Sequence, residues 1–384
     1  MTSKKETAIR REEALQALGQ ALGDEFAISA VADYGDEVVA RIEERLFALP
    51  YGPNRDRVAQ ALKEHHCKVE WLENASGLHV RLKFHTAKTF PRTNLTLFLL
   101  TLVSVFFVPQ CHHAMEVAAL NGATSFDPFA WFVTPSQWEV SWALQFTGWL
   151  MAILLAHEFG HYFAGRRRNL NVSLPYFIPF PTLIGTMGAV IRFRSPIENR
   201  RDLIEVGAAG PVAGFIVALV AAYIGILQTD IQQPGLSFSF AGESLIMSYL
   251  GWLIHGEALA GQYIQLAPAA YAGWVGFLVT ALNMLPISQL DGGHITYGLF
   301  GAKQRIVALV TLGGLGIAGM YWSGWWVYAA FALFFRPFHP PTLDDSAPIP
   351  TGAKILGWTA LVIFVLTFAL APFGLDTGGV DSSQ

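Results

Sequence analysis

The chain has 384 residues, of which 53% are hydrophobic and 14% are charged. Soluble proteins carry about 25% charged residues, so this composition indicates a protein that crosses a lipid bilayer several times. The net charge of −4 is small. Because nucleic-acid-binding proteins are usually basic, we expect no nucleic-acid partner. Two cysteines, Cys67 and Cys111, are too few to organise a disulfide framework.

Residues 1–92 predict a small cytosolic region with both α and β structure. Their mixed charge and lack of a long apolar run argue against a targeting segment at this start. The segments that predict structure are helical at 36–47 and 54–66 and strand-like at 68–72 and 78–84. The pattern leaves open whether residues 1–23 fold at all or form a disordered tail.

Long apolar segments begin after Pro91-Arg92. They span residues 93–109, 138–165, 203–227, 267–287, 305–320, 323–336 and 354–372. A helix needs about 20 apolar residues to cross the hydrocarbon core, and only 138–165, 203–227, 267–287 and 354–372 reach that length. We therefore predict an all-α polytopic membrane protein with about six to seven transmembrane helices. Residues 93–336 would form its core, and 337–384 a cytosolic connection, an extra C-terminal transmembrane helix and a short tail.

The positive charges predict an orientation in the bilayer. Residues 1–93 contain 14 of the 25 Lys and Arg, residues 166–201 contain seven, and residues 288–305 and 336–354 contain two each. The segments between these blocks contain none. By the positive-inside rule this pattern places the N-terminus in the cytoplasm of a multi-pass membrane protein. We expect a bacterial inner membrane.

A metal-binding pattern lies within the second apolar segment, at His157-Glu158-Phe159-Gly160-His161. His157 and His161 share one face of a helix, which suits two imidazoles binding one Zn²⁺, and Glu158 is placed to act as general base. His157 lies nine residues before Arg166 and therefore below the membrane surface. A carboxylate there costs about 2.5–3.5 kcal/mol, so it is functional by default. The alternative is a paired intramembrane Glu without a metal.

A catalytic zinc takes three protein ligands, so a carboxylate from another helix is expected. Asp202 and Glu205 lie beside arginines, and Glu139 lies at the opposite end of its segment. Asp291 follows the apolar run 267–287, and the nearby proline and glycines would break the helix and turn it toward the metal. A simple helix-capping role for Asp291 remains the alternative. His294 is either a neighbour that supports Asp291 or an interfacial histidine.

The His157–His161 motif and the later Asn283-Met284-Leu285-Pro286 leading into Leu290-Asp291-Gly292 together resemble the site-2 protease family. Members of that family are intramembrane zinc metalloproteases with the patterns HExxH and NxxPxxxLDG, and both match here. The segments at 185–192 and 207–211 are similar to the family as well. The lack of a peptide-binding PDZ insertion resembles the branch that includes chloroplast-type relatives.

The resemblance implies regulated intramembrane proteolysis of transmembrane protein substrates within the lipid bilayer. It implies one Zn²⁺ per chain, with His157, His161 and Asp291 as ligands and Glu158 as catalytic base. It also implies that Asn283 binds the substrate or its oxyanion, although a hydrogen bond that ties the broken helix together is an alternative role. Nothing in the sequence indicates the oligomeric state.

Two further patterns concern how a substrate and the helices fit around this site. Residues 171–197 are rich in proline and strand-like alternation, which predicts a β-hairpin in the membrane. Its edge could add a substrate strand, since a helical substrate hides its amides. Gly210 and Gly214 form a small-residue pair that predicts close helix packing.

Two other functions would use the same sequence differently. A metal-binding membrane transporter would need the histidines and Asp291 but gives no reason for Glu158 beside a ligand. A membrane scaffold would carry its function in residues 1–92 instead.

Overall fold

The computed structural model describes fourteen stretches of the chain. They are residues 2–24, 26–33, 37–44, 53–65, 67–74, 77–84, 91–120, 125–181, 184–229, 234–239, 244–256, 263–264, 266–334 and 337–372. The descriptions below concern these residues.

The N-terminal region is a four-stranded antiparallel sheet covered on one face by helices. Its elements in chain order are α1 (Thr2–Leu22), β1 (Phe26–Asp33), β2 (Glu37–Glu44), α2 (Arg55–Leu62), β3 (Cys67–Asn74) and β4 (Gly77–Phe84). The strand order is β1-β2-β4-β3. Side chains from both helices and the sheet are buried in one core, among them Leu18, Leu62 and Leu82.

Two predictions for this region differ from the structure. The helix predicted at 36–47 is wrong, because residues 37–44 form strand β2 between β1 and β4. There Val38, Ala40 and Ile42 alternate toward the helices and are buried, a period of two. The alternative of a disordered tail is not borne out for residues 2–22, which form helix α1 and bury one apolar side against the sheet. The helix predicted at 54–66 and the strands predicted at 68–72 and 78–84 are confirmed.

The remainder of the described chain is mainly helical. Its helices are α3 (Arg92–Leu120), α4 (Pro128–Phe132), α5 (Val140–Arg167), α6 (Arg200–Gln228), α7 (Leu245–His255), α8 (Pro268–Asn283), α9 (Asp291–Phe300), α10 (Gln304–Ala318), α11 (Gly324–Phe334) and α12 (Thr351–Thr367). Two antiparallel strand pairs interrupt the helices. They are β5 (Tyr176–Pro179) with β6 (Thr186–Val190), and β7 (Pro234–Ser239) with β8 (Tyr263–Ile264).

Three of the described helices are long and apolar enough to cross a membrane: Arg92–Met115 within α3, α5 and α6. The first is longer than the sequence predicted, because the helix continues through Pro109. The segments predicted at 267–287 and 354–372 form helices of only 16 and 17 residues. A total of six to seven spans stays a prediction.

Helices α5, α6 and α8 pack together and form the centre of the membrane core. Phe146, Leu150, Ala218, Ala222 and Val275 are among the side chains buried where they meet. The glycines of α6 and α8 allow this close approach. A Cβ on Gly273, for example, would lie 2.6 Å from the main-chain nitrogen of Ala222. Small residues at such crossings let helix backbones approach closely in lipid, where van der Waals packing drives association. This packing fixes the relative positions of His157 and His161 on α5 and of Asn283 at the end of α8.

Candidate metal centre

The two histidines of the α5 motif point to one place in the protein interior. His157 and His161 lie one helical turn apart and are 4% and 5% exposed. Their Nε2 atoms are 3.1 Å apart. The spacing of four residues predicted that the two rings share a face, and the structure brings them together.

Asp291 reaches the same point from the break between α8 and α9. It is the first residue of α9, and its Oδ2 lies 3.2 Å from Nε2 of His157 and 3.2 Å from Nε2 of His161. Met284 to Leu290 form the tight connection before it. A Cβ on Gly292 would collide with the main-chain carbonyl of Met284, so glycine is needed for the chain to turn here. Asp291 is therefore at a helix start but faces both histidines.

The three converging atoms can serve as a metal donor set. Nδ1 of His161 lies 2.7 Å from the main-chain oxygen of Val206, which can only accept, so Nδ1 carries the proton. A neutral His161 ring then directs a lone pair from Nε2 toward Asp291. With His157 also neutral and its Nε2 unprotonated, a carboxylate and two imidazole lone pairs face one another, which is a donor set that a metal cation binds.

The dimensions of the triangle suit zinc. Its sides measure 3.1, 3.2 and 3.2 Å. Tetrahedral zinc ligands at about 2.0–2.1 Å from the metal are about 3.3 Å apart, so the donors fit with little movement. Within the described part of the chain, one ligand atom each from His157, His161 and Asp291 lie within 4.8 Å of one another, close enough to hold a metal ion together.

Glu158 and Asn283 line the same cavity as the three donors, a space of about 530 Å³. Glu158 follows His157 on α5 and is 4% exposed. Asn283 is the last residue of α8, and its Nδ2 lies 3.4 Å from Nε2 of His157. The structure thus gathers all five residues that the sequence singled out.

Helix α6 forms the floor behind the two histidines through two glycines. A Cβ on Gly210 would collide with the imidazole ring of His161. A Cβ on Gly214 would lie 3.1 Å from Cβ of His157. The small-residue pair predicted to allow close packing does so directly against the metal donors.

The other candidate carboxylates are engaged elsewhere. Glu205 forms ion pairs with Arg168 and Arg201, and Asp202 lies 3.3 Å from Arg168. Glu139 lies 3.2 Å from His113 at the other end of α5. These pairings leave Asp291 as the carboxylate that completes the donor set.

The hairpin predicted within 171–197 is present beside this cavity. Its strands β5 and β6 are antiparallel, and within the described residues β6 pairs with β5 alone. Nδ2 of Asn94 on α3 donates to the main-chain oxygens of Leu174 and Pro175, at 2.9 and 2.8 Å, which fixes the start of the hairpin. Residues 189–193, the end of β6 and the extension after it, line the cavity.

Comparisons with known proteins agree with this geometry. Residues 145–317 match Peptidase family M50. This segment contains all five site residues. The segment is therefore similar to the M50, or site-2 protease, family, in agreement with the resemblance of its motifs.

Individual proteins that are similar to this chain are named zinc metalloproteases. The chain is 34% identical over 233 residues to a probable zinc metalloprotease EGY2, chloroplastic, of Oryza sativa subsp. indica, which is 59% of this chain and 42% of that protein. It is 32% identical over 231 residues to a probable zinc metalloprotease EGY1, chloroplastic, of Arabidopsis thaliana, or 57% of this chain and 41% of that protein. The chain thus spans about two fifths of the length of these relatives. No solved structure matches it.

The sequence analysis missed one group of residues around the candidate metal centre. His339, Pro340, Pro341, Thr342 and Leu343 follow α11 and line the cavity. His294, left open between two roles, has its Nδ1 2.7 Å from Nε2 of His339. The only signal in the sequence is the dense proline content of residues 337–350, which marks a fixed, extended connection.

Proposed function

We propose that this chain is a zinc-dependent intramembrane endopeptidase that cleaves transmembrane segments of membrane proteins near the cytoplasmic face. The observation that carries the proposal is the convergence of His157, His161 and Asp291, with Glu158 beside them, on a helix long enough to span the bilayer. One zinc per chain is part of the proposal. When bound, zinc supplies a Lewis acid that lowers the pKa of water and polarises a carbonyl.

The protein's own residues supply the rest of the chemistry. Glu158 takes the proton of the attacking water and passes it to the leaving amine. The side-chain N–H of Asn283, placed 3.4 Å from a metal donor, donates to the oxygen that becomes negative as the peptide carbonyl is attacked. Burial of the site strengthens both interactions, because the surrounding dielectric is low.

The hairpin is the part of the site suited to hold an extended peptide. Among the described residues no strand pairs with the outer edge of β6, and Met187 and Val190 on this strand are 63% and 52% exposed. A substrate strand added to this edge would have its main chain open to attack. Val190→Pro disrupts the main chain of this strand and should abolish cleavage while zinc stays bound. Normal cleavage by this variant would exclude strand addition at this edge.

We place the protein in a membrane as a multi-pass protein with a cytoplasmic N-terminus. Three helices of membrane-spanning length and the Lys and Arg distribution support this placement. A bacterial inner membrane is our proposal for its location, while the relatives EGY1 and EGY2 are named chloroplastic. Reporter fusions to each end of the chain test the orientation.

The decisive experiment compares wild type with Glu158→Gln in lipid vesicles that contain a single-span protein substrate. We expect wild type to cleave and the variant to retain zinc but lose cleavage by at least about 10²-fold. Glu139→Gln is the matched control, since Glu139 lies at the far end of α5 and pairs with His113. Unchanged cleavage by the Glu158→Gln variant would exclude Glu158 as the general base. Zinc binding without cleavage by wild type would favour a metal-binding transporter or scaffold.

A further inference from the structure

Residues 337–345, which include the cavity-lining residues that the sequence missed, border the cavity, and we call this segment the strap. Pro340, Pro341, Thr342 and Leu343 line the cavity together with the metal donors and with residues 189–193 after the hairpin strand. Two main-chain segments from distant parts of the sequence therefore border one space. The strap leads from α11 to α12, the last helix of the described chain.

Main-chain hydrogen bonds fix the strap at both ends. At its start the N–H of Ser288, in the connection that delivers Asp291, donates to the oxygen of Pro337 at 2.7 Å. At its end the N–H of Asp344 donates to the oxygen of Glu198 at 2.7 Å. The strap is thereby attached to the metal-ligand connection on one side and to the segment before α6 on the other.

Buried side chains hold the strap between these ends. Gln304, which is fully buried, accepts from the N–H of His339 at 3.2 Å and donates to the oxygen of Pro286 at 3.4 Å. The hydroxyl of Tyr297 donates to Asp345 at 2.5 Å. These contacts make the strap a built part of the site with a fixed conformation.

In Pro340–Leu343 every main-chain N–H is either absent or already bonded. Pro340 and Pro341 lack an N–H. The N–H of Thr342 is bonded to Asp345 at 3.3 Å, and that of Leu343 to Ile197 at 3.4 Å. The hydroxyl of Thr342 is also bonded to Asp345, at 2.7 Å. Pro340, Pro341 and Leu343 therefore present mainly apolar side chains to the cavity.

We propose that Pro340–Leu343 form the apolar wall that selects the substrate side chains next to the scissile bond, while β6 pairs with the peptide main chain and sets its register. The inference rests on the proposed function and assigns the specificity of that site. An uncharged side chain fits this wall, since burying a charge against it without a partner is costly. Leu343, half-buried and branched, limits how large that side chain can be.

The test measures specificity in the full-length protein reconstituted in vesicles. The substrate is a single-span protein whose cleavage site is mapped by mass spectrometry, with Ala or Phe at each position flanking that site. Leu343→Ala should raise the ratio of kcat/KM for Phe over Ala about tenfold at one flanking position, since a hydrophobic pocket discriminates by about 10–200-fold per methylene. Ile349→Ala is the matched control, an aliphatic residue of the same connection outside the cavity lining. A ratio for Leu343→Ala no larger than for this control would overturn the proposal.

A second measurement does not depend on cleavage. A photoreactive benzoylphenylalanine is placed at position 341, 349 or 187 in the Glu158→Gln background, and crosslinks to the same substrate are counted. We expect crosslinks from position 341 on the strap and position 187 on β6, and none from position 349. Crosslinks from 187 without 341, or from neither, would overturn the role of the strap. If wild type cleaves no substrate while position 341 still crosslinks it, the proposed proteolysis fails and the peptide-binding wall stands.

Discussion

Gly210 provides a sharp test of how the metal donors are held. A Cβ at this position would collide with three ring atoms of His161, and even the farthest of them, Cε1, would lie 2.5 Å away. Contact between non-bonded heavy atoms is favourable near about 3.5 Å, so the imidazole must move by at least about 1 Å. Metal-ligand distances tolerate about 0.2 Å. Gly210→Ala should therefore displace a zinc donor well beyond this limit.

We expect Gly210→Ala to cause a large loss of activity without destabilising helix α6. Alanine favours a helix over glycine by about 1 kcal/mol, so α6 itself should not be weakened. A misplacement of about 1 Å costs about 10²-fold in rate, and we expect at least that loss of kcat/KM together with reduced zinc content. Zinc content is measured by elemental analysis, and cleavage is measured in vesicles. Folding is checked by circular dichroism.

Alanine substitutions at two other glycines, where an added Cβ meets a smaller clash or none, test the same reasoning. Gly214→Ala brings a Cβ to 3.1 Å from Cβ of His157, which requires a shift of only a few tenths of an ångström, so a small loss is expected. Gly148→Ala on α5 meets no atom within 4 Å and should behave as wild type. If Gly210→Ala keeps full zinc and wild-type cleavage, then α6 does not fix the position of His161, and the reasoning fails.

Three further predictions concern single residues. Asp291→Ala removes one of three donors, so zinc and cleavage should be lost together; stoichiometric zinc in this variant would show a different ligand set. Asn283→Ala leaves the donors intact, and we expect retained zinc with kcat about 10²–10³-fold lower, whereas loss of zinc would indicate that Asn283 only ties the chain together. Burial raises the pKa of Glu37 above its ordinary 4.5, although Arg81 lies 3.7 Å away and lowers it. Because the folded state then binds the proton more tightly, the stability of the N-terminal sheet falls as the pH rises above that ordinary value, and Glu37→Gln should remove this dependence. Amide hydrogen exchange of β2 in the full-length protein, corrected for intrinsic rates, measures it; an equal pH dependence in the variant would contradict the assignment.

The N-terminal region illustrates where local pattern misleads. Residues 37–44 contain acidic, basic and β-branched residues that are compatible with a helix when viewed alone. They form a strand because β1 and β4 pair with them on both sides, which is long-range information. The same region shows how a charge can link distant segments, since Arg81 of β4 donates to Glu198 in the segment before α6, at 2.9 Å.

The sequence by itself identified the residues of the candidate metal centre. The spacing of His157 and His161 places both rings on one helical face, and the helix-breaking residues around Asp291 predict a carboxylate free to turn toward them. These are local consequences of helix geometry and of proline and glycine. Only the tertiary structure decided how closely the donors approach: it sets Asp291 3.2 Å from both histidines and engages Asp202 and Glu205 in ion pairs with Arg168. It also decided that the strap lies against the site, since contacts between residues so far apart in the chain leave no periodic signal in the sequence.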